Sequence, residues 1–190
     1  MNLHSIQTDN ARLANKIALR RRATAGLDRL RVLDLYAGRN LLWSYFDKEK
    51  YFGVDIQQNK GQNLTADSRR IVETLDLSAF NVIDCDSYGI PFDVLYKLLQ
   101  NDTLQDGTVI LYTAITNRLS GLNLGCLQMF GLRKIYAKCH GLIASKALDM
   151  FYGMLYNCGV RRVTYLEVKA SFIKHYGYFV YHTPKKHEKT

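Results

Sequence analysis

Proline is nearly absent from this chain: of its 190 residues only Pro91 and Pro184 are proline. No Pro-, Gly- or Ser-rich stretch separates one part from another, so one domain with a full core is the expected organisation. Cysteine is sparse too. Cys85, Cys126, Cys139 and Cys158 include no Cys-x-x-Cys pair and no histidine partner at zinc-finger spacing, so no metal site is expected. They read as free thiols of a reducing, cytoplasmic compartment. No apolar run reaches the length of a bilayer span, and the N-terminal residues lack the apolar core of a signal peptide, so no membrane partner is expected. Acids are in deficit as well: 17 Asp and Glu stand against 26 Lys and Arg, a formal net charge of +9. The excess is clustered at Arg20-Arg21-Arg22, Arg69-Arg70, Arg133-Lys134, Arg161-Arg162 and Lys185-Lys186. A surplus of this size either keeps a surface solvated or meets a polyanion, with nucleic acid the first candidate.

What is present is concentrated in two segments. Arg31-Val-Leu-Asp-Leu-Tyr-Ala-Gly-Arg-Asn40 is answered by Tyr51-Phe-Gly-Val-Asp-Ile56. An apolar run closing on Asp34, a turn through Tyr36 and Gly38, and a helical stretch over Leu41–Phe46 read as strand, loop and helix. Asp55 follows Asp34 at the distance where ribose hydroxyls are held in nucleoside-cofactor folds. A dinucleotide is disfavoured, because a pyrophosphate needs several glycines around it and no acid beside it. S-adenosylmethionine suits the pattern better. It carries an ammonium and a sulfonium, so a carboxylate at the strand end is favourable and one glycine gives clearance.

The flanking periodicities are those of alternating strands and helices. A helix is expected from Thr8 or Asp9 to about Leu30, with Leu13, Ala14, Ile17 and Ala18 as its apolar stripe. Arg12, Lys16 and Arg20 follow at four-residue intervals, a basic row that would track a phosphate backbone. Strands are expected at Val32–Leu35, Tyr51–Val54, Asn63–Ala66, Phe80–Cys85 and Thr108–Thr113, with helices at Ser68–Leu75 and Phe92–Leu99, the latter opened by Pro91. Ile143, Ala147, Phe151, Met154, Leu155 and Cys158 give a long amphipathic helix, and Val163–Ser171 with Ile173–Thr183 an antiparallel pair. The fold class is therefore α/β, a mainly parallel sheet with a C-terminal antiparallel strand pair and helices on both faces.

Val82-Ile-Asp-Cys-Asp-Ser-Tyr-Gly-Ile-Pro-Phe92 leaves a buried strand and opens onto a helix, which places its polar residues at the carboxyl edge of the sheet, where ligands bind in such folds. Two acids, an aromatic ring and a Gly/Pro turn suit a planar amine: a carboxylate accepts from the amino group while a ring packs on its face. Asp84-Cys-Asp-Ser-Tyr-Gly-Ile-Pro91 resembles the Asp-x-Asp-Pro-Phe/Tyr-Gly-x-Pro motif of the tRNA (guanine-N2) dimethyltransferases, a branch of the Rossmann-like S-adenosylmethionine-dependent methyltransferases. Tyr112-Thr-Ala114 and Tyr176-Gly-Tyr-Phe-Val-Tyr181 extend the likeness, and Ser87 departs from it by replacing a proline.

The chain is expected to divide into residues 1–30, a basic helix by its periodicity, 31–183, the methyltransferase domain that the resemblance implies, and 184–190, a polar tail. The resemblance also implies S-adenosylmethionine as cofactor, with Asp34 and Gly38 at its methionine end, Tyr36 among its contacts, Asp55 on the ribose and Asp67 on the adenine amino group. Asp86 and Tyr88 would face the substrate, Asp84 is either a further catalytic acid or a buried structural acid hydrogen-bonded to backbone amides, Pro91 shapes the turn, and the row of Arg12, Lys16 and Arg20 would meet nucleic acid. The implied activity is methylation of an exocyclic amine on a base, RNA before DNA. The alternatives are a DNA amino-methyltransferase, a nucleic-acid-binding fold without catalysis, and a small-molecule methyltransferase, which the basic charge disfavours. Cys85 is expected to be an inert core residue, and His140 and His175 structural or exposed and not catalytic.

Overall fold

The computed structural model describes residues 13–58, 62–116, 124–169 and 173–183. Its helices are α1 (Leu13–Thr24), α2 (Ser68–Thr74), α3 (Phe92–Leu98), α4 (Leu124–Met129), α5 (Arg133–Lys138), α6 (His140–Ser145) and α7 (Ala147–Asn157). Its strands are β1 (Arg31–Asp34), β2 (Lys50–Asp55), β3 (Leu64–Thr65), β4 (Val82–Cys85), β5 (Val109–Thr116), β6 (Thr164–Lys169) and β7 (Ile173–Val180). They form one seven-stranded sheet in the order β3-β2-β1-β4-β5-β7-β6. Pairings from β3 through β5 are parallel, while β7 runs antiparallel to both β5 and β6. This is the expected α/β class with its C-terminal antiparallel pair. Strand order reverses between β1 and β4, which opens a crevice at their carboxyl ends.

The two faces follow from strand alternation. Leu33, Ile83 and Ile110 point to one side, where Val72 of α2, Leu95 and Leu98 of α3, and Phe151 and Leu155 of α7 bury them. Val32, Val82, Val109 and Leu111 point to the other, under Leu19 of α1 and the fully buried Trp43. Gly177 of β7 is required by packing, since a Cβ there would lie 2.3 Å from the Tyr112 hydroxyl.

Several expectations are corrected. The stretch after Gly38 forms only a single 3-10 turn, Trp43–Tyr45, and no α-helix over 41–46. Too few residues separate this loop from β2, and Trp43 turns inward to donate from Nε1 to Asp84 at 2.8 Å. Strand β5 runs three residues beyond Thr113 because β7 pairs with its full length. The short helices α4 and α5 were not expected, having too few turns for a readable period. Helix α1 ends at Thr24, and its buried residues are Leu19, Arg20 and Thr24, so the buried face is rotated away from Ala14 and Ala18. The proposed caps Thr8 and Asp9, and the tail from Pro184, lie outside the described residues. No helix among the described residues is long and apolar enough to cross a membrane.

Candidate functional site

The first part of the site is the loop after β1. Gly38 (φ +50°) and Asn40 (φ +56°) both take left-handed backbone, which a glycine adopts freely and an asparagine better than most residues. Asp55 at the end of β2 closes the loop: its two carboxylate oxygens accept from the backbone N–H of Gly38 and of Gln57, each at 2.9 Å. A carboxylate has further lone pairs, so Asp55 keeps acceptor capacity toward the crevice. The Asn40 Oδ1 atom is buried without a hydrogen-bond partner among the described residues. Asp34 closes β1 at the same edge of the sheet. It lies buried on the α1 side of the sheet and accepts from the Tyr36 backbone N–H at 3.2 Å and the Tyr51 hydroxyl at 3.1 Å. Burial, reinforced by nearby Asp84, pushes its carboxyl well above the ordinary range.

Next to this loop lies a cavity of about 230 Å³ lined by Tyr36, Ile56, Asp67, Ser68, Arg69, Asp93 and Val94. Ile56 is 66% exposed immediately after the strand-end acid. Asp67 caps α2 by accepting from the Arg69 backbone N–H at 2.9 Å and also binds the Arg69 side chain, with Nη2 at 2.5 Å. These bonds from Arg69 hold the Asp67 carboxyl below its usual range. The guanidinium also lies 3.7 Å from Asp93. Ile56, Arg69, Asp93 and Val94 were not singled out from sequence. An apolar residue directly after the acid of β2 is the signal that could have found Ile56; the others depend on α2 packing beside α3.

The second part lies at the end of β4. Asp84 and Asp34 are register partners on adjacent parallel strands, so their side chains share a face. Arg20 spans the acids: its Nε and Nη2 donate to Asp84 at 2.8 and 2.7 Å, and Nη2 lies 3.6 Å from Asp86. Lys16 donates to both oxygens of Asp86, at 3.0 and 2.7 Å, while its ammonium sits 5.5 Å from the centre of the Tyr176 ring. Thr113 of β5 donates a short hydrogen bond to Asp86. Burial alone would push the Asp86 carboxyl up, but Lys16, Arg20 and Thr113 together hold it below the usual range. Asp84 goes the other way, because burial outweighs the Arg20 guanidinium. Its Oδ1 has no partner among the described residues.

The loop from Asp86 to Pro91 is pinned along β5. Ser87 is buried with its hydroxyl donating to the Thr113 carbonyl at 3.3 Å, and Ile115 N–H donates to the Gly89 carbonyl at 2.8 Å. Gly89 has φ +114°, which reserves this turn for glycine. Tyr88 projects outward, 80% exposed. Pro91 is buried and its carbonyl accepts from Leu95 N–H at 3.0 Å, opening α3.

The structure thus brings together Tyr36, Gly38, Asp55 and Asp67 on one side of the crevice, and Asp84, Asp86, Lys16 and Arg20 on the other. The basic row is corrected: Lys16 and Arg20 turn onto acids of the sheet and are not a free cationic face, while Arg12 lies outside the described residues. Cys85 is a buried thiol whose pKa burial raises well above the ordinary value, so it is no nucleophile. His175 is buried between the Tyr152 hydroxyl at 2.6 Å and Glu167 at 3.1 Å. No group of three or more metal-ligating side chains occurs among the described residues.

No protein-family model and no curated protein matches the chain. Solved structures match it in fold. A possible exported protein from Bordetella parapertussis aligns with a TM-score of 0.55 and 12% identity over 87% of this chain and 67% of its own. Phosphoethanolamine N-methyltransferase 2 of Haemonchus contortus, in complex with S-adenosyl-L-methionine, aligns with a TM-score of 0.52 and 14% identity over 82% of this chain and 38% of its own. Trm1 from Pyrococcus horikoshii, also in complex with S-adenosyl-L-methionine, gives a TM-score of 0.50 and 15% identity over 87% of this chain and 54% of its own. The present chain therefore spans only part of the length of each. Sheet order, antiparallel closure and these alignments together show the Rossmann-like fold of S-adenosylmethionine-dependent methyltransferases.

Proposed function

We propose that the protein transfers a methyl group from S-adenosylmethionine to an exocyclic amine of a nucleic-acid base, RNA before DNA. The observation that carries this reading is the pairing of a nucleoside-sized cavity with a carboxylate loop, Asp84–Pro91, at the crevice where the strand order reverses. The residues present fit the cofactor. Tyr36, Ile56 and Asp67 offer two apolar surfaces and an acceptor for an adenine, and Asp55 offers acceptor capacity for ribose hydroxyls. The unpartnered Asn40 Oδ1 beside Gly38 offers an acceptor for an ammonium at the methionine end. A cavity of about 230 Å³ is below the roughly 300 Å³ at which whole-ligand pockets begin, so it suits the nucleoside end alone.

Bound cofactor supplies an activated methyl group, so the chain has mainly to orient the amine and stabilise the charge that grows on its nitrogen. Asp86 does this as a hydrogen-bond acceptor and then takes the proton or passes it to water. Thr113 aims the carboxylate, and Lys16, Arg20 and Thr113 together hold its pKa below the usual range. Tyr88, exposed beside it, offers a ring to the face of the base. An amine reaches Asp86 only when Lys16 leaves it. That same contact favours a second reading, a nucleic-acid-binding module of this fold that does not turn over.

Labelled methyl transfer to tRNA, other RNA, and single- and double-stranded DNA, with nucleoside analysis, tests the reading, alongside calorimetry with S-adenosylmethionine. Cofactor binding with label in an RNA amine is the expected result. Cofactor binding without transfer to any acceptor supports the second reading, and no cofactor binding by the folded protein removes the first.

A further inference from the structure

With Lys16 and Arg20 drawn onto internal acids, the positive surface that a polynucleotide would meet has to lie elsewhere. The sequence from Gly107 to Leu148 contains no Asp or Glu, yet it carries Arg118, Arg133, Lys134, Lys138 and Lys146. Arg118 lies outside the described residues, and Lys146 pairs with Asp149 at 3.2 Å. Arg133, Lys134 and Lys138 of α5 are exposed, and among the described residues no acid forms an ion pair with them. The inner side of this segment is apolar: Leu132, Tyr136 and Ile143 pack against the core. Its outer side therefore presents cations, with Ile135 and Leu142, 50% and 62% exposed, beside them.

The segment also stands where a substrate would need it. It follows the carboxyl end of β5, the strand whose Thr113 holds Asp86. Helix α7 then leads back to the opposite edge, where β6 begins. Phe130, just after α4, meets the ring of Phe92 edge-on at 5.7 Å, and Phe92 follows Pro91 directly. Phe130 thus ties the start of this segment to the helix that follows the Asp84–Pro91 loop.

We propose that α5 and α6 form the docking surface for the phosphate backbone of the nucleic-acid substrate, an inference that rests on the reading above. Unpaired lysine and arginine on one exposed face suit phosphates by charge complementarity and counterion release. A lipid surface is less well matched, because the continuous apolar side of the segment faces the protein core and not the solvent.

The test is anisotropy of labelled tRNA across a salt series with wild type, Lys134→Glu/Lys138→Glu and Arg161→Glu/Arg162→Glu. The last pair changes the charge equally in the loop before β6, at the opposite edge. The α5 variant should lose about tenfold or more in affinity, and its slope of log K against log salt should fall by about 1–2, while the control stays near wild type. In a second measurement, bound tRNA should protect the exposed Cys139, between α5 and α6, from alkylation. Equal losses in the two variants, or undiminished Cys139 alkylation with tRNA bound, would place the surface elsewhere and leave the function standing. A wild type that binds S-adenosylmethionine but no polynucleotide overturns both the surface and the substrate class. Binding to phosphatidylglycerol vesicles in place of tRNA overturns the surface in favour of a membrane.

Discussion

The Lys16 ammonium lies 2.7 Å from Oδ2 and 3.0 Å from Oδ1 of Asp86, so a primary amine of the chain itself occupies the carboxylate assigned to the proposed chemistry. Removing it exposes an acid that the fold otherwise neutralises. Breaking a buried pair from one side costs about 3–5 kcal/mol. Arg20 remains 3.6 Å from Asp86, so Lys16→Met should destabilise by the low end of that range or less. The double variant Lys16→Met/Asp86→Asn should be destabilised less than the sum of the single changes. Chemical denaturation of the four proteins checks this; additive costs would mean that the pair contributes nothing.

Asp86→Asn keeps the shape of the acid but removes its charge. Methyl transfer should fall to a small residue while S-adenosylmethionine affinity stays near wild type, because Asp86 lies in the cluster with Lys16 and Thr113 and does not line the Ile56 cavity. Tyr88→Ala should reduce transfer less. Wild-type turnover by Asp86→Asn would move the catalytic role to another residue.

The cavity itself can be probed without disturbing the fold. Ile56 is largely exposed, so Ile56→Ala should leave stability unchanged while weakening cofactor binding by about 1–2 kcal/mol through lost apolar cover. Asp55→Ala should weaken it by about 1–3 kcal/mol and also loosen the Gly38 loop, whose N–H it holds at 2.9 Å. Calorimetry paired with thermal unfolding separates the two effects.

Asn40 offers the opposite contrast. Its backbone is left-handed and its Oδ1 is buried without a partner among the described residues. Asn40→Gly should relieve both costs, leaving the free protein as stable or more so. Cofactor affinity should nevertheless fall, because the acceptor for the ammonium is gone. Unchanged affinity would show that Asn40 does not face the ligand.

Burial, with the charge of Asp84 nearby, raises the Asp34 carboxyl well above its unfolded value. The folded state then holds a proton that the unfolded state releases above about pH 4, and stability falls as pH rises from there through the folded pKa. Asp34→Asn removes this dependence. Its stability relative to wild type should rise as the pH is raised above about 4, measured by denaturant midpoints. A constant difference across that range would show that Asp34 is ionised in the folded protein.

Much of the frame was legible along the chain because it is local. Apolar runs ending in Asp34, Asp55 and Asp84 specify buried parallel strands with acids at one edge, and the Gly89 turn before Pro91 delivers Asp86 and Tyr88 to that edge. Two short helices after β5 escaped, since α4 and α5 of six residues each hold under two turns of periodicity.

The inward turn of α1 was not legible at all. By its own pattern Arg20 belongs on a solvated face, and only acids 64 and 66 positions later, Asp84 and Asp86, make its burial favourable. Trp43 donates to the same Asp84 from 41 positions away. Local alternation therefore determined the sheet and the acids at its edge. The tertiary structure decided which cations those acids hold, because a charge enters the interior only where distant strands have already placed its partners.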